Sequence, residues 1–115
     1  MKNLEPRIIR QRLIIEAKYE MELDEEDISR FLLELGKALK MTIDIEPFIR
    51  RTIGVTHAGL YGYVHWIESG SHIYAWENFK FLSVDIYTCK HFSVDEAVNF
   101  VKDFFTTNEI VFKEV

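Results

Sequence analysis

Residues 56–89 read THAGLYGYVHWIESGSHIYAWENFKFLSVDIYTC, and this stretch decides the fold. Three segments within it, residues 61–68, 71–76 and 79–87, are rich in aromatic and β-branched side chains and are separated by short turns. Such runs are typical of strands that follow one another in a sheet. The middle of the chain is therefore predicted to form several consecutive strands.

The amino-terminal flank predicts a strand, a helix and a second strand. Residues 13–20 alternate buried-type and polar side chains, which is the pattern of a strand with one buried face. Asp24 can cap a helix whose apolar side chains recur at helical spacing from Ile28 to Leu39. A strand over residues 41–46 is expected to end before Pro47.

The carboxyl-terminal flank completes the predicted fold. Ser93 and Glu96 match a capping box at the start of a second amphipathic helix, and residues 110–115 resemble a closing strand. The order strand, helix, several strands, helix, strand predicts a single α+β domain over residues 1–115. We expect a two-layer α/β sandwich, in which two helices cover one face of a largely antiparallel sheet.

Composition narrows the possible functions. A chain of 115 residues with 48% hydrophobic side chains can form one domain with a core, so an elaborate site would need a partner subunit. The net charge is −5 without a basic stripe, which argues against nucleic acid as a partner. The single cysteine and the lack of a targeting segment or long apolar run predict a cytoplasmic protein that does not bind membranes.

The pair Glu68 and Ser69 carries the most specific chemical signal, together with Trp76 and Cys89. A serine hydroxyl can attack the carbonyl group of the preceding peptide bond, and elimination from the resulting ester leaves a pyruvoyl group on the new amino terminus. Such a ketone accepts electrons during decarboxylation of an amine substrate, as pyridoxal phosphate does. The alternative is that Ser69, beside a glycine, is only a turn residue.

At these residues the chain resembles the S-adenosylmethionine decarboxylase family, in its short prokaryotic class. The core of that class reads approximately Gly-Val-Ser-Gly, Glu-Ser-His, His-Thr-Trp-Pro-Glu and Asp-Val-Phe-Thr-Cys. The spacings from Ser69 to Trp76, from Trp76 to Asp85 and from Asp85 to Cys89 fit this pattern without a gap. The resemblance covers nearly the whole chain.

The resemblance implies a role for each matching residue. The chain would be a proenzyme that cleaves itself between Glu68 and Ser69, and it would act as a lyase in polyamine (spermidine) biosynthesis, as a homodimer. Cys89 would donate a proton to the decarboxylated carbon, and Trp76 would stack on the adenine of the substrate. A lone cysteine can instead be a small buried hydrophobic residue, and a lone tryptophan a core anchor.

Several positions depart from the family pattern. Tyr74 replaces the histidine that abstracts a proton during processing, and a phenol is a poor base at neutral pH. Tyr61 replaces the serine that binds the oxyanion, although its hydroxyl can still donate a hydrogen bond. Asn78 replaces a glutamate that binds ribose, Val55 replaces the second aromatic residue that stacks on adenine, and Gly70 replaces the histidine after the serine.

The histidines offer no obvious substitute for the missing base. His65 would share a face with Ser69 if one regular strand contained both, whereas His72 would face away. Neither occupies the position of the family's histidine. The four histidines, at positions 57, 65, 72 and 91, also lack the spacing of a metal site, so no metal is expected.

Two functional hypotheses follow from the sequence. The first is a pyruvoyl-dependent decarboxylase of S-adenosylmethionine or a related amine. The second is an unprocessed, catalytically inactive paralogue that keeps the fold and acts as a binding or regulatory subunit, with an active decarboxylase as a possible partner. Replacement of the processing residues by Tyr61 and Tyr74 favours the second hypothesis.

Overall fold

The computed structural model describes residues 1–54, 56 and 58–115 of the chain. Its elements follow the predicted order. They are β1 (Gln11–Lys18), α1 (Glu25–Ala38), β2 (Ile43–Thr52), β3 (Gly59–Trp66), β4 (Ser69–Trp76), a 3-10 turn (Glu77–Phe79), β5 (Phe81–Thr88), α2 (Val94–Phe105) and β6 (Glu109–Glu114).

The strands form one six-stranded sheet in the order β2-β3-β4-β5-β1-β6, and every neighbouring pair is antiparallel. Strand β1 therefore lies between β5 and β6, far from its neighbours in sequence. One face of the sheet is covered by the two helices, which bury the inward side chains of the alternating strands. This arrangement confirms the predicted two-layer α/β sandwich.

Both helices begin at the residues that the sequence indicated. Asp24 and Asp27 form a reciprocal capping box at the start of α1. Ser93 caps α2 by accepting a hydrogen bond from the backbone amide of Glu96. The helices meet through Phe31, which is fully buried against aromatic rings of α2. The helices pack on one face of the sheet and leave its other face uncovered.

Strand β2 is longer than predicted, because it continues through Pro47 to Thr52. The strand lies at one edge of the sheet, where a residue without an amide hydrogen does not interrupt a second ladder. Its pairing with β3 shifts register between Ile45 and Phe48, around the proline. The expectation that the strand ends before Pro47 is thus wrong.

The face of the sheet opposite the helices, called the open face below, carries polar and aromatic side chains. Its central strands contribute the following residues: Tyr61, Tyr63 and His65 from β3, His72, Tyr74 and Trp76 from β4, and Ser83, Asp85 and Tyr87 from β5. No helix among the described residues is long and apolar enough to cross a bilayer. Tyr61, Tyr74 and Trp76 of the predicted functional residues belong to this face, whereas Glu68, Ser69 and Cys89 lie at the hairpin end of the central strands. Val55 is outside the described residues.

Candidate functional site

The peptide bond between Glu68 and Ser69 lies in the tight hairpin that joins β3 to β4. Ile67 and Glu68 form its two-residue turn, and Trp66 pairs with Ser69 across it. Ser69 has a φ of 131°, a conformation that side-chain-bearing residues rarely adopt. Backbone strain of this kind costs roughly 1–3 kcal/mol and clusters at functional sites. The strained conformation makes Ser69 a candidate functional residue.

Hydrogen bonds hold Glu68 through its side chain. Its carboxylate accepts one from the backbone amide of Thr42 at 2.9 Å and another from the Thr42 hydroxyl at 3.2 Å. The bond from the Thr42 amide is the main cause that keeps the pKa of the Glu68 carboxyl below its ordinary value. These bonds attach the turn to the start of β2.

The backbone carbonyl of Glu68 is held by a separate contact. Its oxygen accepts a hydrogen bond from the backbone amide of Cys89 at 2.8 Å. This carbonyl is the group that the Ser69 hydroxyl would attack, and attack would place negative charge on its oxygen. A fixed amide donor at that oxygen stabilises such charge. The structure thus brings Glu68, Ser69 and Cys89 together.

The side chain of Cys89 is exposed just beyond the end of β5. The alternative in which it is a small buried hydrophobic residue is therefore wrong. The strand preceding it directs Leu82, Val84 and Ile86 toward the helices, as the alternation predicted. An accessible thiol beside the hairpin is compatible with a role in proton transfer.

A shallow cavity of about 430 Å³ opens on the open face beside the hairpin. Its lining residues are Tyr63, Val64, His65, Ser69, Gly70, Ser71, His72, Asp85 and Tyr87. His65 and His72 both line it, because the chain reverses at residues 67 and 68 and the two histidines come to lie on neighbouring strands. By strand register Ser69 pairs with the buried Trp66 and Thr88, whereas His65 and His72 belong to the open face, so both histidines are on the other register face from Ser69.

The imidazole of His65 has an acidic neighbour on the adjacent strand. Its Nδ1 lies 3.2 Å from the Asp44 carboxylate, and both side chains are about half exposed. Sequence reasoning missed Asp44 and Thr42, the two β2-side residues that contact the hairpin region. The only signal was their polar character in the alternating run 41–46, which did not indicate what they contact.

Tyr61 and Tyr74 lie farther along the same two strands. They are cross-strand partners whose rings stack with centroids 5.8 Å apart and an interplanar angle of 7°. Five residues separate Tyr74 from Ser69 in a regular strand, a distance of about 16 Å at ~3.3 Å per residue. The structure therefore does not bring Tyr61 or Tyr74 to the hairpin.

The two tyrosines begin a row of aromatic rings across the open face. Trp76 lies 4.4 Å from Tyr74 and 5.4 Å from Phe81, measured between ring centroids. Asn78 follows in the exposed 3-10 turn. This aromatic row (Tyr61, Tyr74, Trp76 and Phe81) offers flat apolar surface to a planar ligand. The predicted site thus divides into the hairpin group and the aromatic row.

A metal centre has no support in the part of the chain that the structure describes. No group of three or more histidine, cysteine or acidic side chains there could hold a metal ion. The open face offers two imidazoles, the Asp85 carboxylate, hydroxyl groups and an aromatic surface as its chemical groups, with the Cys89 thiol exposed beside the hairpin.

These features define a small α/β protein in which a serine in a strained backbone conformation begins a strand and directly follows a hydrogen-bonded carbonyl group. The sequence model of S-adenosylmethionine decarboxylase matches residues 13–115. The chain therefore belongs to the S-adenosylmethionine decarboxylase family.

One solved structure supports the same fold. The crystal structure of the adenosylmethionine decarboxylase from Aquifex aeolicus VF5 aligns with a TM-score of 0.73 and 20% sequence identity, covering 94% of this chain and 89% of that one. At that identity the likeness shows the fold alone. No curated protein sequence matches this chain.

Proposed function

We propose that this chain is a self-processing proenzyme of a pyruvoyl-dependent decarboxylase, cleaved between Glu68 and Ser69. The observation that carries the proposal is the hydrogen bond from the Cys89 amide to the Glu68 carbonyl oxygen at 2.8 Å. It polarises the one carbonyl that Ser69 can attack, and the φ of 131° at Ser69 stores strain that breaking this bond would release.

The first step needs only groups that the hairpin contains. The Ser69 hydroxyl oxygen bonds to the Glu68 carbonyl carbon, the peptide C–N bond breaks, and the hydroxyl proton passes to the freed amine. The product is an ester between Glu68 and Ser69. Ser69 thus fits as the precursor of a pyruvoyl group, which would supply the electron sink for decarboxylation.

The remaining family positions would bind the substrate and move a proton. Trp76 presents an aromatic face in the row with Tyr74 and Phe81, which suits a nucleobase or a sulfonium group. The exposed Cys89 would protonate the decarboxylated carbon. Asn78 replaces the family's ribose-binding glutamate, so we propose S-adenosylmethionine or a related amine as the substrate, in cytoplasmic polyamine biosynthesis.

We further propose that a second copy of the chain covers the open face. Phe48, Tyr63 and Tyr87 expose between 40% and 47% of their surface there, and apolar groups clustered on one exposed face are typical of interaction sites. A homodimer would enclose the cavity and the aromatic row. Sedimentation equilibrium tests it, and a monomer at micromolar concentration would exclude this arrangement.

Intact-mass spectrometry of the purified chain tests the cleavage. Processing predicts fragments of residues 1–68 and 69–115 in place of the 13.7 kDa chain. The Ser69→Ala variant should stay whole, because it lacks the attacking hydroxyl. A parent chain that remains a single uncut species after prolonged incubation would contradict the proposal.

A second candidate is the unprocessed paralogue that acts as a binding or regulatory subunit. It is supported by Tyr61 and Tyr74, which replace the family's oxyanion donor and base and stack on each other. Titration calorimetry would compare the parent chain with Trp76→Ala, using S-adenosylmethionine and an active member of the family as ligands. Binding of neither ligand by an uncut parent chain would remove this candidate.

A further inference from the structure

We propose that Thr42 is a positioning residue for the self-cleavage. It holds the turn of Ile67 and Glu68 so that Ser69 stays in the backbone conformation from which its hydroxyl can attack the Glu68 carbonyl carbon. This inference rests on the proposed self-cleavage, and it names a residue outside the hairpin that supports the step. Thr42 lies just before β2, and it would act through the two residues that precede Ser69.

The φ of 131° at Ser69 is the conformation that the attack needs. Attack of the hydroxyl on the Glu68 carbonyl carbon closes a five-membered ring, which consists of that carbon and of the nitrogen, Cα, Cβ and Oγ of Ser69. Such a ring closes only when Cβ lies near the Glu68 carbonyl carbon around the N–Cα bond. In an L-residue, Cβ and the residue's own carbonyl carbon are about 120° apart around this bond, so a φ of 131° leaves Cβ only about 10° from eclipsing the Glu68 carbonyl carbon.

An ordinary strand conformation does not allow this ring to close. A φ of about −120° to −140° leaves Cβ about 100–120° away from the preceding carbonyl carbon around the same bond. In the folded chain Ser69 has already undergone the required rotation, in a conformation that its surroundings must impose. Rotation about the Cα–Cβ bond alone then brings Oγ to about 3 Å from the Glu68 carbonyl carbon, the separation of a near-attack conformer.

The groups on both sides of the Ser69 N–Cα bond are held in place. On the carboxyl side, Ser69 pairs with Trp66 of β3 and Thr88 of β5, because β4 lies between these two strands. On the amino side, the Glu68 carbonyl oxygen accepts a hydrogen bond from the Cys89 amide at 2.8 Å. The φ of Ser69 can therefore relax only if the peptide group of Glu68 turns, and this makes the other contacts of Glu68 decisive.

Thr42 makes three hydrogen bonds to the turn that precedes Ser69. Its carbonyl oxygen accepts one from the Ile67 amide at 2.9 Å. Its own amide donates one to the Glu68 carboxylate at 2.9 Å, and its hydroxyl donates another to the same carboxylate at 3.2 Å. Bonds to an ionised acceptor are stronger than bonds between neutral groups. Thr42 thus binds both residues of the turn, one through its backbone and the other through its side chain.

The segment before Thr42 is in turn anchored to the rest of the fold. The Met41 amide donates a hydrogen bond to the Gly36 carbonyl oxygen of α1 at 2.8 Å, and Lys90 Nζ donates one to the Lys40 carbonyl oxygen at 2.7 Å. Because this segment is fixed to α1 and to the chain that follows β5, Thr42 is a rigid support for the turn.

The reaction that Thr42 supports leaves Glu68 where it is. The Ser69 hydroxyl oxygen bonds to the Glu68 carbonyl carbon, and the π electron pair of the carbonyl group moves to its oxygen, beside the Cys89 amide. That pair then forms the C=O bond again, the C–N bond breaks with its electron pair on nitrogen, and the hydroxyl proton passes to this nitrogen. A fixed Glu68 therefore lowers the entropic cost of the attack without opposing any later movement.

The first experiment follows cleavage of the full chain by intact mass in four variants. Thr42→Val lacks the hydroxyl donor and should cleave about 10-fold more slowly than the parent, whereas Thr42→Ser should regain most of that rate. Glu68→Ala loses both side-chain bonds to Thr42 and should cleave about 100-fold more slowly. Thr52→Val makes the same substitution at the other end of β2 and should cleave at the parental rate.

A second experiment measures the backbone conformation itself. In a Ser69→Ala background, which stays uncut, the three-bond NMR coupling between the amide proton and the α-proton of residue 69 reports φ. The coupling should be small at a φ of 131°, and it should increase toward the large value of an extended strand when Glu68→Ala is added. A merely structural role would change the midpoint of unfolding in urea but would leave this coupling unchanged.

The outcomes separate the role of Thr42 from self-cleavage. Parental cleavage rates in Thr42→Val and Glu68→Ala, or an equal loss in Thr52→Val, would overturn the role of Thr42 while leaving self-cleavage intact. A large coupling at residue 69 in the Ser69→Ala background, or a small one that Glu68→Ala does not change, would overturn it as well. A parent chain that stays whole would overturn self-cleavage and this inference together.

Discussion

Replacement of Gly70 by alanine tests the close approach of β4 to β3 beside the cleavage site. Gly70 and Gly54 have nearly the same backbone φ, 158° and 154°. A Cβ at Gly70 would overlap the Val64 carbonyl oxygen, whereas a Cβ at Gly54 meets no atom of the described residues within 4 Å, apart from its chain neighbours. Gly54→Ala is therefore a matched control that contains the conformational cost without the steric one.

The expected magnitudes follow from these two costs. Alanine at so positive a φ costs roughly 1–3 kcal/mol, partly offset by about 0.4–1 kcal/mol from a less flexible unfolded chain. We expect Gly54→Ala to lower the free energy of unfolding by about 1 kcal/mol. Gly70→Ala adds an overpacking cost of about 1–3 kcal/mol, because a backbone atom must move. Its total loss should be about 3 kcal/mol.

Urea unfolding followed by circular dichroism measures the difference. Both variants and the parent should carry Ser69→Ala, so that all chains stay uncut and unfold as one covalent species. With an m-value of about 1.5 kcal/mol per molar, the extra 2 kcal/mol corresponds to a midpoint about 1.3 M lower for Gly70→Ala than for Gly54→Ala. Equal midpoints would mean that the two strands do not approach as described.

Three further predictions concern the hairpin and the core. Cys89→Pro removes the amide donor to the Glu68 carbonyl and should slow cleavage by about 100-fold or more. Cys89→Ser keeps this amide and should cleave at the parental rate. Equal cleavage rates of the two variants by intact mass would exclude oxyanion stabilisation by the amide. Folding lowers the pKa of the Glu68 carboxyl, so the ionised side chain stabilises the folded state by about 1 kcal/mol or less at this solvated site. This stabilisation should be present above the ordinary carboxyl pKa and should be lost as the pH falls through the lowered pKa. Urea unfolding at pH 7 and pH 3 should show that Glu68→Gln lacks this component, and an unchanged pH dependence would argue against the Thr42 contact. Phe31→Ala should cost about 3–5 kcal/mol because the ring is fully buried, and Phe31→Leu no more than about 1.5 kcal/mol; similar midpoints in urea would contradict the aromatic packing between the helices.

The fold was predictable because its signals are local. Alternation over residues 13–20 identifies β1 and its buried face, and the residues at the starts of the helices, Asp24 and Ser93, supply side chains that bond to free backbone amides. The extension of β2 through Pro47 was not predictable in the same way. It depends on the position of β2 at the edge of the sheet, and that position is a property of the whole topology.

The site was predictable only in part. The family resemblance grouped Ser69 with Cys89, whose backbone amide contacts the carbonyl oxygen of Glu68. The relation of His65 and His72 to Ser69 depends instead on where the chain turns. Ile67 and Glu68 carry none of the glycine, asparagine or aspartate signals that normally mark a two-residue turn. Without the turn, alternation cannot be continued from β3 to β4, so the shared face of the two histidines stayed hidden.

The strand order has a consequence for the mature protein. A cut after Glu68 would assign β1, β2 and β3 to one polypeptide and β4, β5 and β6 to the other. Across the sheet, strands of the two polypeptides would then alternate at three borders, between β3 and β4, between β5 and β1, and between β1 and β6. The two polypeptides would contribute strands to the same sheet and side chains to the same core, so neither could dissociate without global unfolding. A nicked molecule should therefore sediment and elute as the intact one does, and only denaturing conditions would reveal that it is made of two chains.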